Sequence, residues 1–136
     1  RRVGCRTYLE QAGIPWSTVH VAVGHGTTRG GYTAAARLLT DHPWLTGLVC
    51  GNDRMALGAY DAIRAQGLRV REDVAVIGID DQELIADQVH PALTTVALPF
   101  EEMGQVAVSH LLALMEGEEV PAETLLPGTI IRRSSA

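Results

Sequence analysis

Two short polar clusters stand where this chain could grip a small molecule. Asn52 and Asp53 follow the apolar run Leu48-Val49-Cys50, and Asp80 and Asp81 follow the apolar run from Val74 to Ile79. Apolar runs of this kind read as strands covered on both faces. In an open parallel sheet, ligands bind in the crevice outside the carboxyl ends of the strands. Two strands would therefore bring a carboxamide and carboxylates to one rim. An amide both donates and accepts hydrogen bonds, and a carboxylate accepts them from hydroxyl or ring N–H groups. Each cluster also has a plain structural reading. Asn and Asp are favoured helix caps, and taken alone Asn52-Asp53 is better explained that way. Asp80-Asp81 suits a turn or cap equally well. Adjacent carboxylates repel, however, so a donor or solvent is expected beside at least one of them.

Other reactive side chains are less telling. Arg1, read from the residues alone, is a frayed terminus. Phe100 opens a long helical pattern, where a core or staple role is the simpler one. The histidines at 20, 25, 42, 90 and 110 show no metal-ligand spacing, and only His25, between two glycines after an expected strand, falls near the rim. Ser109 and His110 are helical neighbours that point different ways and cannot act as nucleophile and base. Cys5 and Cys50 are far apart, and Cys50 ends an expected buried strand, where a thiol serves as a small hydrophobe. All eleven basic residues are arginine, which removes a P-loop lysine and Schiff-base chemistry. No catalytic residue, metal site or cofactor is expected. A hydrolase or phosphotransferase built on Asp80 and Asp81 lacks the accompanying groups.

The elements that must position these residues follow from periodicity. Helices are expected over Arg1–Ala12, from Thr27 or Thr28 to about Asp41, from Asn52 or Asp53 to Gly67, and over Phe100–Glu116. Strands are expected over Val19–Val23, Leu48–Cys50, Val74–Ile79, Leu93–Leu98 and Leu125–Arg132, with a short helix or loop at Gln82–Asp87. This alternation implies an α/β fold, a mainly parallel sheet flanked by helices. The chain opens inside a helix with no strand to feed it, which reads as a truncated domain. Its 136 residues suit one domain or part of one, and its net charge of −5 argues against direct nucleic-acid binding by this segment. No apolar run approaches the roughly 18 residues of a membrane span. A reducing cytoplasm is the expected location.

The motifs together resemble a known family. Gly51-Asn52-Asp53-Arg54-Met55-Ala56-Leu57-Gly58, then Gly67-Leu68, Asp73-Val74 and Ile77-Gly78-Ile79-Asp80-Asp81, closely resemble the LacI/GalR bacterial transcriptional regulators. Pro91-Ala92-Leu93-Thr94-Thr95-Val96 is similar to that family's crossover segment, and Ile131-Arg132-Arg133-Ser134-Ser135 to its usual carboxyl terminus. The resemblance implies a type I periplasmic-binding-protein-like effector domain of two lobes, here truncated. Residues 1–97 would be mostly the carboxyl-terminal lobe, 98–120 the crossover and a helix of the amino-terminal lobe, and 121–136 the return segment. It further implies a small-molecule effector such as a sugar or nucleoside, a homodimer, and operator DNA bound through a head domain outside this chain. Arg1, Asn52, Asp80 and Phe100 match the family's effector contacts, which reverses the reading of Arg1 as frayed. Asp53 is then the more structural member of its pair. Gly26 stands where many members have a stacking aromatic, Leu98 where many have glutamine, and Arg71 where proline is common. A periplasmic sugar-binding protein serving transport is the alternative of the same fold.

Overall fold

The computed structural model describes residues 1–136 and arranges them as a four-stranded mixed sheet with helices packed against it. Strands β1 (Gly47–Val49), β2 (Ala75–Asp80) and β3 (Thr94–Ala97) are parallel and adjacent in that order, and β4 (Thr129–Ile131) runs antiparallel on the far side of β3. Helices α1 (Arg2–Gln11), α2 (Thr28–Asp41), α3 (Asp53–Ala65) and α4 (Phe100–Met115) lie within a residue or two of their expected bounds. The expected α/β class is observed. No helix is long and apolar enough to cross a membrane.

The core is built where α2 and α3 pack on the sheet. Leu39 of α2, Tyr60 and Ile63 of α3, Val76 of β2 and the flanking Val74 and Leu93 are all buried. Alanines 56, 59 and 62 keep the inner face of α3 thin, so the two helices come close. Gly31 and Gly58 mark the contact. A Cβ at Gly58 would overlap the Thr28 carbonyl and lie 2.5 Å from Tyr32 N, while one at Gly31 would overlap the Met55 backbone. Thr27 starts α2 by accepting the Gly30 N–H at 3.0 Å on its hydroxyl oxygen, the usual way of satisfying an orphan donor.

The carboxyl-terminal tail completes the sheet. Because β3 enters register only at Ile77 of β2, Val76 would otherwise have no neighbour on that side. Ser135 fills the place. Its carbonyl accepts the Val76 N–H at 2.9 Å. Its hydroxyl donates to the Val76 carbonyl at 2.6 Å and accepts the Thr94 N–H at 2.8 Å. One buried serine therefore joins two parallel strands at their amino ends.

Two expectations are corrected. Val19–Val23 is not a strand: no backbone group from His20 to Val23 makes a hydrogen bond. A strand needs a partner, and between this segment and β1 lies an apolar cavity of about 630 Å³, lined by Cys5, Leu9, Val21, Val23, Leu38 and Val49 among others. Leu125–Arg132 forms a strand only over Thr129–Ile131, after Pro127 has removed a donor. Helix α4 forms where expected but buries no residue, and Val108, Leu111, Leu112 and Met115 are all exposed. Gln82–Asp87 takes the loop alternative, a series of turns. Arg71 has φ 80°, which a proline ring cannot reach, so this loop follows a path closed to proline.

Two substitutions test this packing. Gly58→Ala should destabilise the protein by about 1–3 kcal/mol through overpacking, despite alanine's higher helix propensity of roughly 1 kcal/mol; urea denaturation showing a gain would contradict the close approach of α2 and α3. Ser135→Ala should cost about 1–3 kcal/mol by orphaning two buried backbone groups, whereas Ser134→Ala should stay within roughly 0.5 kcal/mol. Equal effects at the two serines would exclude the proposed role of the tail.

Candidate functional site

The carboxyl ends of β1 and β2 open on one rim, and three of the four expected site residues meet there. Arg1 lies immediately before α1 and spans the two strand ends. Its Nη1 donates to the Gly51 carbonyl at 2.6 Å and its Nη2 to Asp80 Oδ1 at 3.0 Å. Half of the Arg1 side chain is exposed (51%), but little of Asp80 is (13%). The carboxylate thus sits in the wall while the guanidinium fork stays accessible, with donors to spare.

Asn52 occupies the turn between β1 and α3. Its Oδ1 accepts the Met55 N–H at 2.9 Å, capping the helix. Its Nδ2 donates to the Gly26 carbonyl at 3.0 Å, fixing the loop that precedes α2. The capping reading therefore holds for Asn52, and the amide retains one N–H and an acceptor lone pair. Gly26 has φ 69°, and a Cβ there would lie 3.5 Å from Asn52 Nδ2. His25 is exposed in the same turn with φ 51°. Phe100 begins α4 and is 56% exposed. The structure shows no contact between it and the other three.

Behind the rim lies a buried anionic network that the sequence reading did not resolve. Asp53 is fully buried. Its Oδ1 accepts from Thr95 Oγ1 on β3 at 2.6 Å, and its Oδ2 accepts the Gln82 N–H at 2.7 Å. Burial raises its pKa above the ordinary carboxylate value. The two hydrogen bonds oppose that rise, and the charges of Asp80 and Asp81 add to it. A raised folded-state pKa means that keeping Asp53 ionised costs stability as pH rises through that range. Gly78 on β2 faces this carboxylate, and any Cβ there would overlap Asp53 Oδ1. The glycine within an apolar strand was the one local signal of such an approach. Nearby, burial and the Asp53 charge push the Cys50 thiol up to about 12, so it stays protonated and unreactive.

The turn after β2 is held in an unusual shape. Asp80 has φ 118° and Asp81 φ 54°, conformations that side chains other than glycine adopt at a cost. Asp81 Oδ1 lies 2.8 Å from Arg133 Nη1, an ionic contact lacking hydrogen-bond geometry. Arg133 also donates to the Leu93 carbonyl at 2.9 Å. The donor expected beside one of the adjacent carboxylates is thus present beside each: Arg1 for Asp80 and Arg133 for Asp81.

The sequence and fold match known proteins. A family model for the periplasmic binding protein-like domain matches residues 1–136. The HTH-type transcriptional regulator MalR of Streptomyces coelicolor is 41% identical over 136 residues, covering 96% of this chain and 39% of MalR. The crystal structure of the lac repressor dimer bound to operator and the anti-inducer ONPF superposes with a TM-score of 0.91 at 34% identity, covering 99% of this chain and 40% of that one. A complex of the transcriptional regulator CelR with cellobiose gives a TM-score of 0.91 at 34% identity, over 98% of this chain and 41% of CelR. The chain therefore spans less than half the length of these proteins. With its whole length matched by the domain model and its fold shared with these repressors and regulators, the chain belongs to the periplasmic-binding-protein-like family, within the LacI/GalR group of transcriptional regulators.

Proposed function

We propose that this chain forms one wall of the effector cleft of a DNA-binding transcriptional regulator, with Arg1, Asn52 and Asp80 as polar contacts to a sugar or nucleoside-like effector. The observation that carries the reading is the Arg1 bridge. A single guanidinium joins Gly51 and Asp80 at the ends of two parallel strands, beside the Asn52 amide. Arg1 offers a planar fork of donors, Asp80 a negative acceptor and Asn52 both. Adjacent hydroxyls, or the ring nitrogens of a base, can satisfy that set. Phe100, exposed at the start of the crossover helix, is the apolar contact of the same cleft. Cellobiose in the CelR complex supports a carbohydrate-like effector.

Residues 1–97 make up most of one lobe, 98–120 cross to the second lobe and supply a helix of it, and 121–136 return. Two features support this division. Helix α4 exposes apolar side chains along its length, as a helix does when its packing partner lies elsewhere. The apolar cavity beside β1 has a backbone edge on each side: His20–Val23 make no hydrogen bonds, and the groups of Gly47 and Val49 alternate away from β2.

Effector binding acts through population shift. A ligand that favours one arrangement of the lobes biases the attached DNA-binding heads by its differential affinity and no more. The regulator works as a dimer on operator DNA in the cytoplasm, without a chemical step. Matches to transcriptional regulators favour this over the transport alternative.

Calorimetry of the intact regulator against lactose, cellobiose, ribose and a set of nucleosides should find a ligand whose affinity falls roughly tenfold or more in Asp80→Ala and Asn52→Ala, since hydrogen bonds to charged groups contribute about 1.5–3 kcal/mol. Unchanged affinity in both variants would rule out this cleft assignment.

A further inference from the structure

We propose that Asp53 is the positioning residue of the rim: its buried carboxylate holds the strained turn that presents Asp80. Helix capping does not account for this side chain, because Asn52 performs it through the Met55 N–H. Both Asp53 oxygens are directed elsewhere, one to Thr95 Oγ1 on β3 and one to the Gln82 N–H. Gln82 is the first residue after the two with positive φ. Two such residues in succession are each strained and persist only where the surroundings over-determine them. A charge-assisted bond to a backbone N–H is roughly twice as strong as a neutral one, and it falls at the point where the chain leaves the strained conformation.

The surroundings are shaped for that carboxylate. Gly78 leaves the space that Oδ1 occupies, and Thr95 ties the same oxygen to the neighbouring strand. Asp53 therefore references the Asp80 turn to two rigid bodies, the amino end of α3 and the centre of β3. The charged groups facing it are the carboxylates of Asp80 and Asp81, paired with Arg1 and Arg133 respectively. Cys50 is protonated and adds no charge. This role rests on the effector reading of Asp80 given above.

Residue-resolved amide exchange on the intact regulator tests it without a ligand. In Asp53→Asn the Gln82 amide should exchange about tenfold faster or more, as loss of charge assistance predicts, and faster still in Asp53→Ala. The amides of Ala56 and Val76 should stay within about threefold of wild type, since global stability sets the exchange of core amides. In the wild type, Gln82 protection should fall as pH drops through the raised ionisation range of Asp53, above its ordinary 3.8, because the charged acceptor exists only above that range; Asp53→Asn should lack this dependence. An unchanged Gln82, or equal acceleration at all three amides, would overturn the proposal. A double-mutant cycle with a ligand found by calorimetry separates the two claims. If Asp53 acts through Asp80, Asp53→Asn should weaken binding in the wild type and cost nothing further in Asp80→Ala; additive losses would overturn it. Full affinity in Asp80→Ala would sink the effector reading instead, leaving Gln82 exchange to decide the role of Asp53.

Discussion

The burial of one negative charge constrains most of what surrounds the rim. An unpaired carboxylate in a protein interior carries a large desolvation penalty, so it persists only when donors are placed on its oxygens. Asp53 receives two, from Thr95 and from the Gln82 backbone, and it sits at the amino end of α3, where the helix dipole favours negative charge. Satisfying it sets several positions at once. β2 must carry glycine at 78, β3 must carry a hydroxyl at 95, and the chain leaving β2 must turn so that residue 82 points its N–H inward. Asp80 and Asp81 adopt positive φ on that turn. The geometry of the exposed rim is thus inherited from a site with no exposure at all.

Other contacts reinforce the same frame from outside. Arg1 draws Asp80 towards the end of β1, and Arg133 holds Asp81 towards the tail. Ser135 then ties that tail between β2 and β3. The rim is fastened from both ends of the sequence, by residues more than a hundred positions apart. Gly31 and Gly58 let α2 and α3 approach until backbone meets backbone. That sets the Gly24–Gly26 turn close enough for Asn52 to reach the Gly26 carbonyl.

Local signals carried the element pattern well. The apolar run ending at Ile79, the Asn52 cap with Gly67 beyond the helix, and the spacing in α4 each depend on a few neighbouring residues, and each element formed. Val19–Val23 shows the limit: its composition suits a strand, but a strand is a relation between two segments, and its neighbouring space is an empty apolar slot. The candidate site divides in the same way. Strand-end placement of Asn52 and Asp80 was legible because topology alone brings strand ends together. Arg1 entered as a site residue only through the family resemblance, and its contact with Asp80, spanning 79 positions, was not expected. Asp53 was read as structural, which its burial supports, but its partners lie on β3 and on the turn, out of reach of any local pattern. Nothing in the Arg-Arg-Ser-Ser terminus announced that Ser135 would satisfy three backbone groups.

To the proposed effector the rim would offer a fork of donors beside a shielded acceptor, with an amide whose orientation is already set by two internal bonds. A site so arranged would be preorganised, and preorganisation lowers the ordering cost of binding. The crystal structure of the intact regulator with its bound effector measures this claim most directly. The account predicts effector hydroxyl or ring nitrogen atoms within about 2.7–3.2 Å of Arg1, Asn52 and Asp80. An effector seated elsewhere, with the Arg1–Asp80 pair facing empty solvent, would contradict it.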